Sequence, residues 1–341
     1  MNRSDPVRTS LNSNQIDRLN IGLILISLLL AYMIPFQLFI FAYAIIGPLH
    51  YLTEINWLHR KAYFIGNRRW IVLPVSLAIV FGIPQLLSLN AFQSVPWISK
   101  GWIDVGFTWI NGCIWLALIA AFGWVFLPKA SWRITLLIAG VVSVFWLRNL
   151  QTYNIWIGLL VPTLIHVYLF TLLFMAYGSL KNKSKAGWIS CTLLFCVPFL
   201  IWLLPVTIDN QILDSLKQIF QQNNFHVLNA TMGRVLGYAD GTTFYFFEKP
   251  YYKMQVFIAF AYLYHYLNWF SKTSVIGWHR SLDQQKVIYL ATIWILMVGL
   301  VIYNYQLAVT LLLTLSVLHV FLEFPLNFIS IRGLVHELKR L

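Results

Sequence analysis

LAVTLLLTLSVLHVFLEFPL, Leu307–Leu326, is a run of twenty residues in which only two side chains are ionisable, His319 and Glu323. Twenty apolar residues at 1.5 Å each span the roughly 30 Å hydrocarbon core of a bilayer, so the run reads as a transmembrane helix. The four-residue interval puts the histidine and the glutamate on one face of that helix. An ionisable group at membrane depth is costly and marks function. The same interval recurs in an earlier apolar segment at His50 and Glu54, and a third segment, Val256–Phe270, carries His265 with Asn268 one turn on. Glu54 and Glu323 are the only glutamates inside hydrophobic segments, and each has a histidine four residues before it.

The composition agrees with a membrane solvent. Of 341 residues, 59% are hydrophobic, 17% aromatic and 10% charged, whereas soluble domains carry charge on about a quarter of their residues. The fold class is therefore all-α: a polytopic transmembrane helical bundle, since helices satisfy their own backbone groups where no water can. The formal charge of +13 raises the question of nucleic acid, but the lysines and arginines sit in short loops between apolar runs, the pattern that orients membrane helices. No nucleic-acid partner is expected. Cys113, Cys191 and Cys196 all lie in hydrophobic segments and form no disulfide framework. The polar start, Met1–Arg18, shows no cleavage pattern and reads as retained.

Ten spans are expected in a single transmembrane domain, 1–341. Two lie in Leu19–Leu58 with a break at Pro35; the others are near Trp70–Leu89, Trp102–Leu127, Trp132–Arg148, Asn154–Leu180, Trp188–Val206, Met254–Phe270, Val287–Tyr303 and Leu307–Leu326. Assigning alternate loops to one side collects 18 of the 24 Lys and Arg residues there and leaves Lys100, Arg148, Lys217, Arg234, Lys249 and Lys253 on the other. Both termini are thus expected in the cytoplasm. Trp57, Trp70, Trp102, Trp132, Trp188, Trp269 and Trp278 near span ends form an interfacial belt. The region 207–253 is expected outside the cytoplasm, with Ile212, Leu213, Leu216, Ile219 and Phe220 forming the apolar face of an interfacial amphipathic helix.

This topology fixes depth. His50, Glu54, His265, His319 and Glu323 fall in one slab, roughly 5 to 15 Å inside the cytoplasmic boundary at 1.5 Å per residue. His166, in the sixth span, is expected one or two turns deeper. Imidazole and carboxylate together are the donor set of non-haem iron and related divalent metals, and an i, i+4 pair lets one helix supply two ligands. The candidate metal ligands are His50, Glu54, His166, His265, His319 and Glu323, holding one ion or two. Glu54 and Glu323 are also the candidate catalytic carboxylates. Tyr51 and Asn268, with Thr53, Tyr264 and Tyr266, are expected to orient the imidazoles. His279 is a further candidate ligand from a loop, while His59, His226 and His336 read as surface residues.

At Gly47–Pro48–Leu49–His50–Tyr51–Leu52–Thr53–Glu54 the chain resembles the Brp/Blh family of bacterial membrane β-carotene dioxygenases, which have a Gly-Pro-His-Gly element with an acidic residue one turn on. Here Leu49 separates Pro48 from His50, Tyr51 replaces the glycine, and His319-xxx-Glu323 stands where the family has His-xxx-His. The resemblance implies a multi-helix membrane enzyme holding non-haem iron through His50, His265 and His319 and using oxygen on a lipid-soluble polyene. The membrane desaturases and hydroxylases match less well, because the sequence has no HxxxH or HxxHH box.

The resulting expectation is an integral multi-pass protein of a bacterial inner (plasma) membrane, a metal-dependent oxygenase or related oxidoreductase. Its cofactor would be iron, and its partners molecular oxygen, a lipid-soluble substrate, the surrounding lipids and an electron donor. The alternative is a proton- or ion-coupled transporter in which Glu54 and Glu323 carry protons, and a third reading is an assembly subunit whose polar cluster only packs helices.

Overall fold

The computed structural model of the chain describes residues 12–93, 95, 99–208 and 212–340. Most of the polar N-terminal segment expected to be retained lies outside them. Twelve helices carry the architecture: α1 (Ser13–Met33), α2 (Pro35–Arg60), α3 (Arg68–Leu87), α4 (Lys100–Phe126), α5 (Ala130–Leu147), α6 (Gln151–Lys181), α7 (Lys185–Leu203), α8 (Asp214–Gln222), α9 (His226–Val235), α10 (Lys249–Ser271), α11 (Gln284–Tyr303) and α12 (Tyr305–Leu338). Among the described residues, nine of them, α1 to α7, α11 and α12, are long and apolar enough to cross a membrane. The segment expected to supply the remaining span forms the helix α10. It is 23 residues long, about 34 Å at helical rise, but its tyrosines, Gln255, His265 and Asn268 make it too polar to stand with the nine.

That polarity is explained by where α10 sits. Sixteen of its residues are buried, from Tyr251 to Trp269, against α1, α2, α9 and other helices. By contrast α11 buries none, and Ile295 and Leu296 on it are exposed. Apolar side chains also face outward on α1 (Leu25, Ile26), α5 (Ile138, Val142) and α7 (Phe195, Phe199). Such a surface suits hydrocarbon, where helices need no apolar face turned inward and polar groups gather at the centre instead.

Two apolar cores form. One gathers α1, α2, α7 and α10 around Phe36, Tyr43, Leu194, Phe260 and Tyr264. The other gathers α3, α4 and α12 around Trp70, Phe81, Ile114, Ala117 and Phe321. Close approach in the second depends on small residues. A β-carbon placed at Gly82 would come within 2.5 Å of the Thr314 hydroxyl, so α3 and α12 touch through that glycine.

Prolines shape the two helices that matter most. Pro35 begins α2 after Ile34 leaves helical geometry at φ −142° and ψ 58°, the break expected there. Farther along α2, Ala42–Ile46 winds as a π-helix just before Gly47 and Pro48. In α6 the π-wound stretch is longer, Asn154–Phe170, and contains Pro162 followed by Thr163 at φ −113° and ψ −105°. Proline lacks the N–H and crowds the carbonyl four residues back, so a wider turn relieves both defects.

The basic segments converge at one end of the bundle. The Asn182 amide donates to the Ser13 hydroxyl at 3.0 Å and Asn56 to that of Ser281 at 2.8 Å, while the Arg60 guanidinium donates to the Arg280 carbonyl. Asn67, Arg133 and Arg332 line one cleft, and Gly333 near the end of α12 packs on the Tyr177 ring. At the far end, helix α8 does not lie free. Phe220 is buried among Phe36, Phe39, Phe225 and Phe246, and Ile212 is buried too, while Leu213 is exposed. The apolar face of α8 therefore caps the bundle.

Candidate metal centre

Between the two cores stand four histidines from four helices: His50 on α2, His166 on α6, His265 on α10 and His319 on α12, all buried. Their rings close a square. Centroids lie 4.8 Å apart for His50 and His265, 5.0 Å for His265 and His166, 4.9 Å for His166 and His319, and 5.4 Å for His319 and His50. His50 Nε2 meets His265 Nε2 at 3.1 Å, and His166 Nε2 meets His319 Nε2 at 3.1 Å. Ligand atoms of His50, His265 and His319 all lie within 4.8 Å of one another, a group able to hold a metal ion.

Counting residues along α6 places His166 one or two turns too deep, yet it stands level with the other three. The π-wound turns around Pro162 account for the difference, because an i→i+5 ladder changes both rise and facing relative to an α-helix. His50 also follows a π segment and a proline. Such insertions are frequent at functional sites, and Pro48 and Pro162 are the sequence signals that mark them.

The partners of each ring decide which nitrogen faces inward. The Thr171 hydroxyl donates to the Val167 carbonyl at 2.8 Å, so its oxygen is left to accept from His265 Nδ1, also at 2.8 Å. That network assigns the proton of His265 to Nδ1 and leaves an Nε2 lone pair aimed into the square. Glu323 Oε2 stands 3.1 Å from His166 Nδ1, near enough for a small rotation of either side chain to favour the same tautomer there, although among the described residues neither atom has a hydrogen-bond partner. A carboxylate or hydroxyl on the outer nitrogen is the usual support of a metal-bound imidazole.

Glu54 is placed otherwise. Its Oε2 lies 3.2 Å from His50 Nε2, on the side that faces His265, and so stands where a direct ligand would. The i, i+4 reading thus gives a contacting pair at His50 and Glu54, whereas Glu323 reaches across to His166 on another helix rather than to His319 on its own. Thr171 is a partner that the sequence does not single out. It lies five residues after His166 with no recognisable motif.

Aromatic side chains fix the remaining rings. Tyr51 stacks on His319 at 4.3 Å between centroids, and its hydroxyl lies 2.7 Å from that of Tyr266. Gly47 makes room for this pair, since a β-carbon there would fall 3.0 Å from the Tyr51 hydroxyl and 3.2 Å from that of Tyr266. The Trp269 indole donates to the Thr53 hydroxyl at 3.0 Å. Asn268 faces the adjacent cavity, and among the described residues its Oδ1 has no hydrogen-bond partner. His279, exposed, bonds to the Thr273 carbonyl and is not part of the square. His59 and His336 are exposed, and His226 packs against Phe244.

The donor chemistry fits a metal. Two nitrogens each bonded at about 2.1 Å to one ion stand about 3 to 3.4 Å apart, the spacing of both Nε2 pairs. His50 Nδ1 has no hydrogen-bond partner among the described residues, so the ring can move its remaining proton there and offer Nε2 as a ligand. A cavity of about 580 Å³ leads from His50, Glu54, His265 and Glu323 to the basic end of the bundle.

Comparison with known proteins finds no matching family model, no matching curated protein and no matching solved structure.

Proposed function

We propose that this chain is a membrane-embedded, non-haem iron-dependent oxygenase, acting on a lipid-soluble substrate and molecular oxygen. In this reading it crosses a bacterial inner membrane ten times, with α10 as the tenth span and both termini cytoplasmic. The observation that carries the proposal is the closed square of four buried imidazoles, with Nε2 pairs at 3.1 Å and a carboxylate on either side. Histidine and carboxylate oxygen suit iron better than thiolate-seeking metals, and no cysteine stands in the group. The ion would supply Lewis acidity and one-electron chemistry toward oxygen.

The protein's own part is positional. His50, His166, His265 and His319 would hold the ion, with Glu54 as the fifth donor. Thr171 keeps the proton of His265 on its outer nitrogen, Glu323 would do the same for His166 once the two side chains align, and Tyr51 holds the plane of His319. Trp57, Met175, Trp269 and Leu326 give the cavity apolar walls, which exclude water from the reacting part of a substrate. The electron donor would approach from the basic end, where the cavity opens.

The test is metal analysis of the purified protein after reconstitution with ferrous iron, manganese or zinc. Stoichiometric iron in the wild type and its loss in His265→Ala support the reading. A folded wild type that takes up no metal overturns it and leaves a proton-coupled transporter, for which Glu54 and Glu323 would move protons in a pH-dependent flux.

A further inference from the structure

The cavity beside the imidazole square has a composition that changes along its length. Its floor is His50, Glu54, His265 and Glu323, and its walls include Ile16, Phe174, Met175, Trp269 and Leu326. Its rim carries Lys61, Lys181 and Lys272 against a single carboxylate, Asp17. These lysines come from three different helix ends: Lys181 is the last residue of α6, and Lys61 and Lys272 directly follow α2 and α10. Among the described residues none of them makes an ion pair within 4.0 Å; the lysines that do are Lys217 and Lys286, elsewhere on the molecule. Lysines that merely orient the bundle need not share a cavity, and Lys183 and Lys185 of the same loop indeed line a different groove. Between floor and rim, Asn268 presents a buried amide oxygen without a partner among the described residues.

Distances along the helices set the length of what would fit. His265 and Lys272 are seven residues apart and His50 and Lys61 eleven, about 10 Å and about 16 Å of helix axis. The volume, about 580 Å³, is within the roughly 300 to 1,000 Å³ of small-molecule sites. A cavity whose apolar walls are interrupted by polar side chains such as Asn20, Ser179 and Ser330, with lysines at one end and imidazoles at the other, selects a ligand charged at one end and reacting at the other.

We propose that the substrate is an anionic single-chain amphiphile, its carboxylate or phosphate held by Lys61, Lys181 and Lys272 and its chain running down past Trp269 and Met175 to the imidazole square. This rests on the metalloenzyme reading for the reaction, though the binding itself needs no metal. The rim gives the ligand a fixed register, so that one short segment of the chain meets the floor. Inorganic phosphate would share the headgroup chemistry but lose the apolar contacts.

The experiment is a binding titration on the full chain in phosphatidylcholine nanodiscs. Quenching of cavity tryptophans by a brominated dodecanoate is followed, with dodecanoate, dodecyl phosphate, dodecanol and inorganic phosphate as competitors. The expected order is that both anionic amphiphiles compete at least tenfold better than the alcohol, and inorganic phosphate fails to compete. The triple variant Lys61→Gln, Lys181→Gln, Lys272→Gln should bring the anionic amphiphiles down to the level of the alcohol with metal content unchanged, while Lys183→Gln with Lys185→Gln changes nothing. If the triple variant does not fold, Lys272→Gln alone should lower competition several-fold and Lys272→Arg restore it. Equal competition by the alcohol, unaltered binding in the lysine variants, or displacement by inorganic phosphate would each overturn the proposal. Selective binding by a protein that takes up no metal defeats the oxygenase reading alone; full metal with no headgroup selectivity defeats this one alone.

Discussion

The two histidine–carboxylate couples at the centre of the bundle look alike in sequence and differ in space. In the first, His50 and Glu54 belong to one helix and meet through the inner nitrogen, Nε2, at 3.2 Å. In the second, Glu323 leaves its own helical neighbour His319 and meets His166 of α6 through the outer nitrogen, Nδ1, at 3.1 Å. A carboxylate on the inner side competes for or shares an ion; one on the outer side sets a tautomer. Two glutamates equally buried, 3% exposed each, thus face different ring nitrogens, and in the proposed metal centre that difference, rather than spacing along the chain, would give them different chemical duties.

The strongest way to break that distinction is to remove the inner couple. His50→Ala takes away the ring that faces both His265 and His319, and metal content of the purified variant should fall to background while the protein still inserts. Glu54→Gln keeps shape and deletes the charge. Its metal affinity, read by competition with a chelator, should fall by more than the about 100-fold that bounds a change behind a ligand. Full iron in Glu54→Gln would mean that the inner carboxylate is no ligand and that the two couples are equivalent after all.

Glu323→Gln should do less. The amide can still present an oxygen to His166 Nδ1, so affinity is expected to drop about 10-fold, and Glu323→Ala, which leaves the nitrogen bare, toward 100-fold. If Glu323→Gln instead loses metal as completely as His50→Ala, then Glu323 is itself a ligand and the site takes two ions or a different centre.

Much of the fold and of the site is legible in the amino-acid sequence. Pro35 marks a helix break, the basic loops gather at one end, and His50, Glu54, His265, His319 and Glu323 do meet. Pairing across helices is not legible, because an i, i+4 rule speaks only for neighbours on one helix. His319 and Glu323 obey the rule in facing the site together, yet each finds its close partner on α6, in His166. The depth of His166 departs from the residue count for a related reason. Counting 1.5 Å per residue assumes an α-helix, and Asn154–Phe170 is wound otherwise. The helix α10 is legible too, as the hydrophobic segment near Met254–Phe270, and its extra polarity has a plain cause: a helix shielded by its neighbours can carry tyrosine and glutamine where one facing lipid cannot.

Thr171 offers the finest test, since it separates the two ways of fixing a tautomer. A hydroxyl hydrogen-bonds His265 where a carboxylate stands beside His166, and a neutral acceptor polarises an imidazole less than a charged one. Thr171→Val keeps the shape of the side chain and removes the oxygen at 2.8 Å from His265 Nδ1, leaving a buried N–H without a partner, a loss of about 1 to 3 kcal/mol. Metal affinity should fall several-fold, less than for Glu323→Ala, and Thr171→Ser should restore it, because serine keeps an oxygen that can donate to the Val167 carbonyl and accept from the ring. A Thr171→Val variant weaker in metal binding than Glu323→Ala would reverse the ranking and make the hydroxyl, not the carboxylate, the principal support of the square.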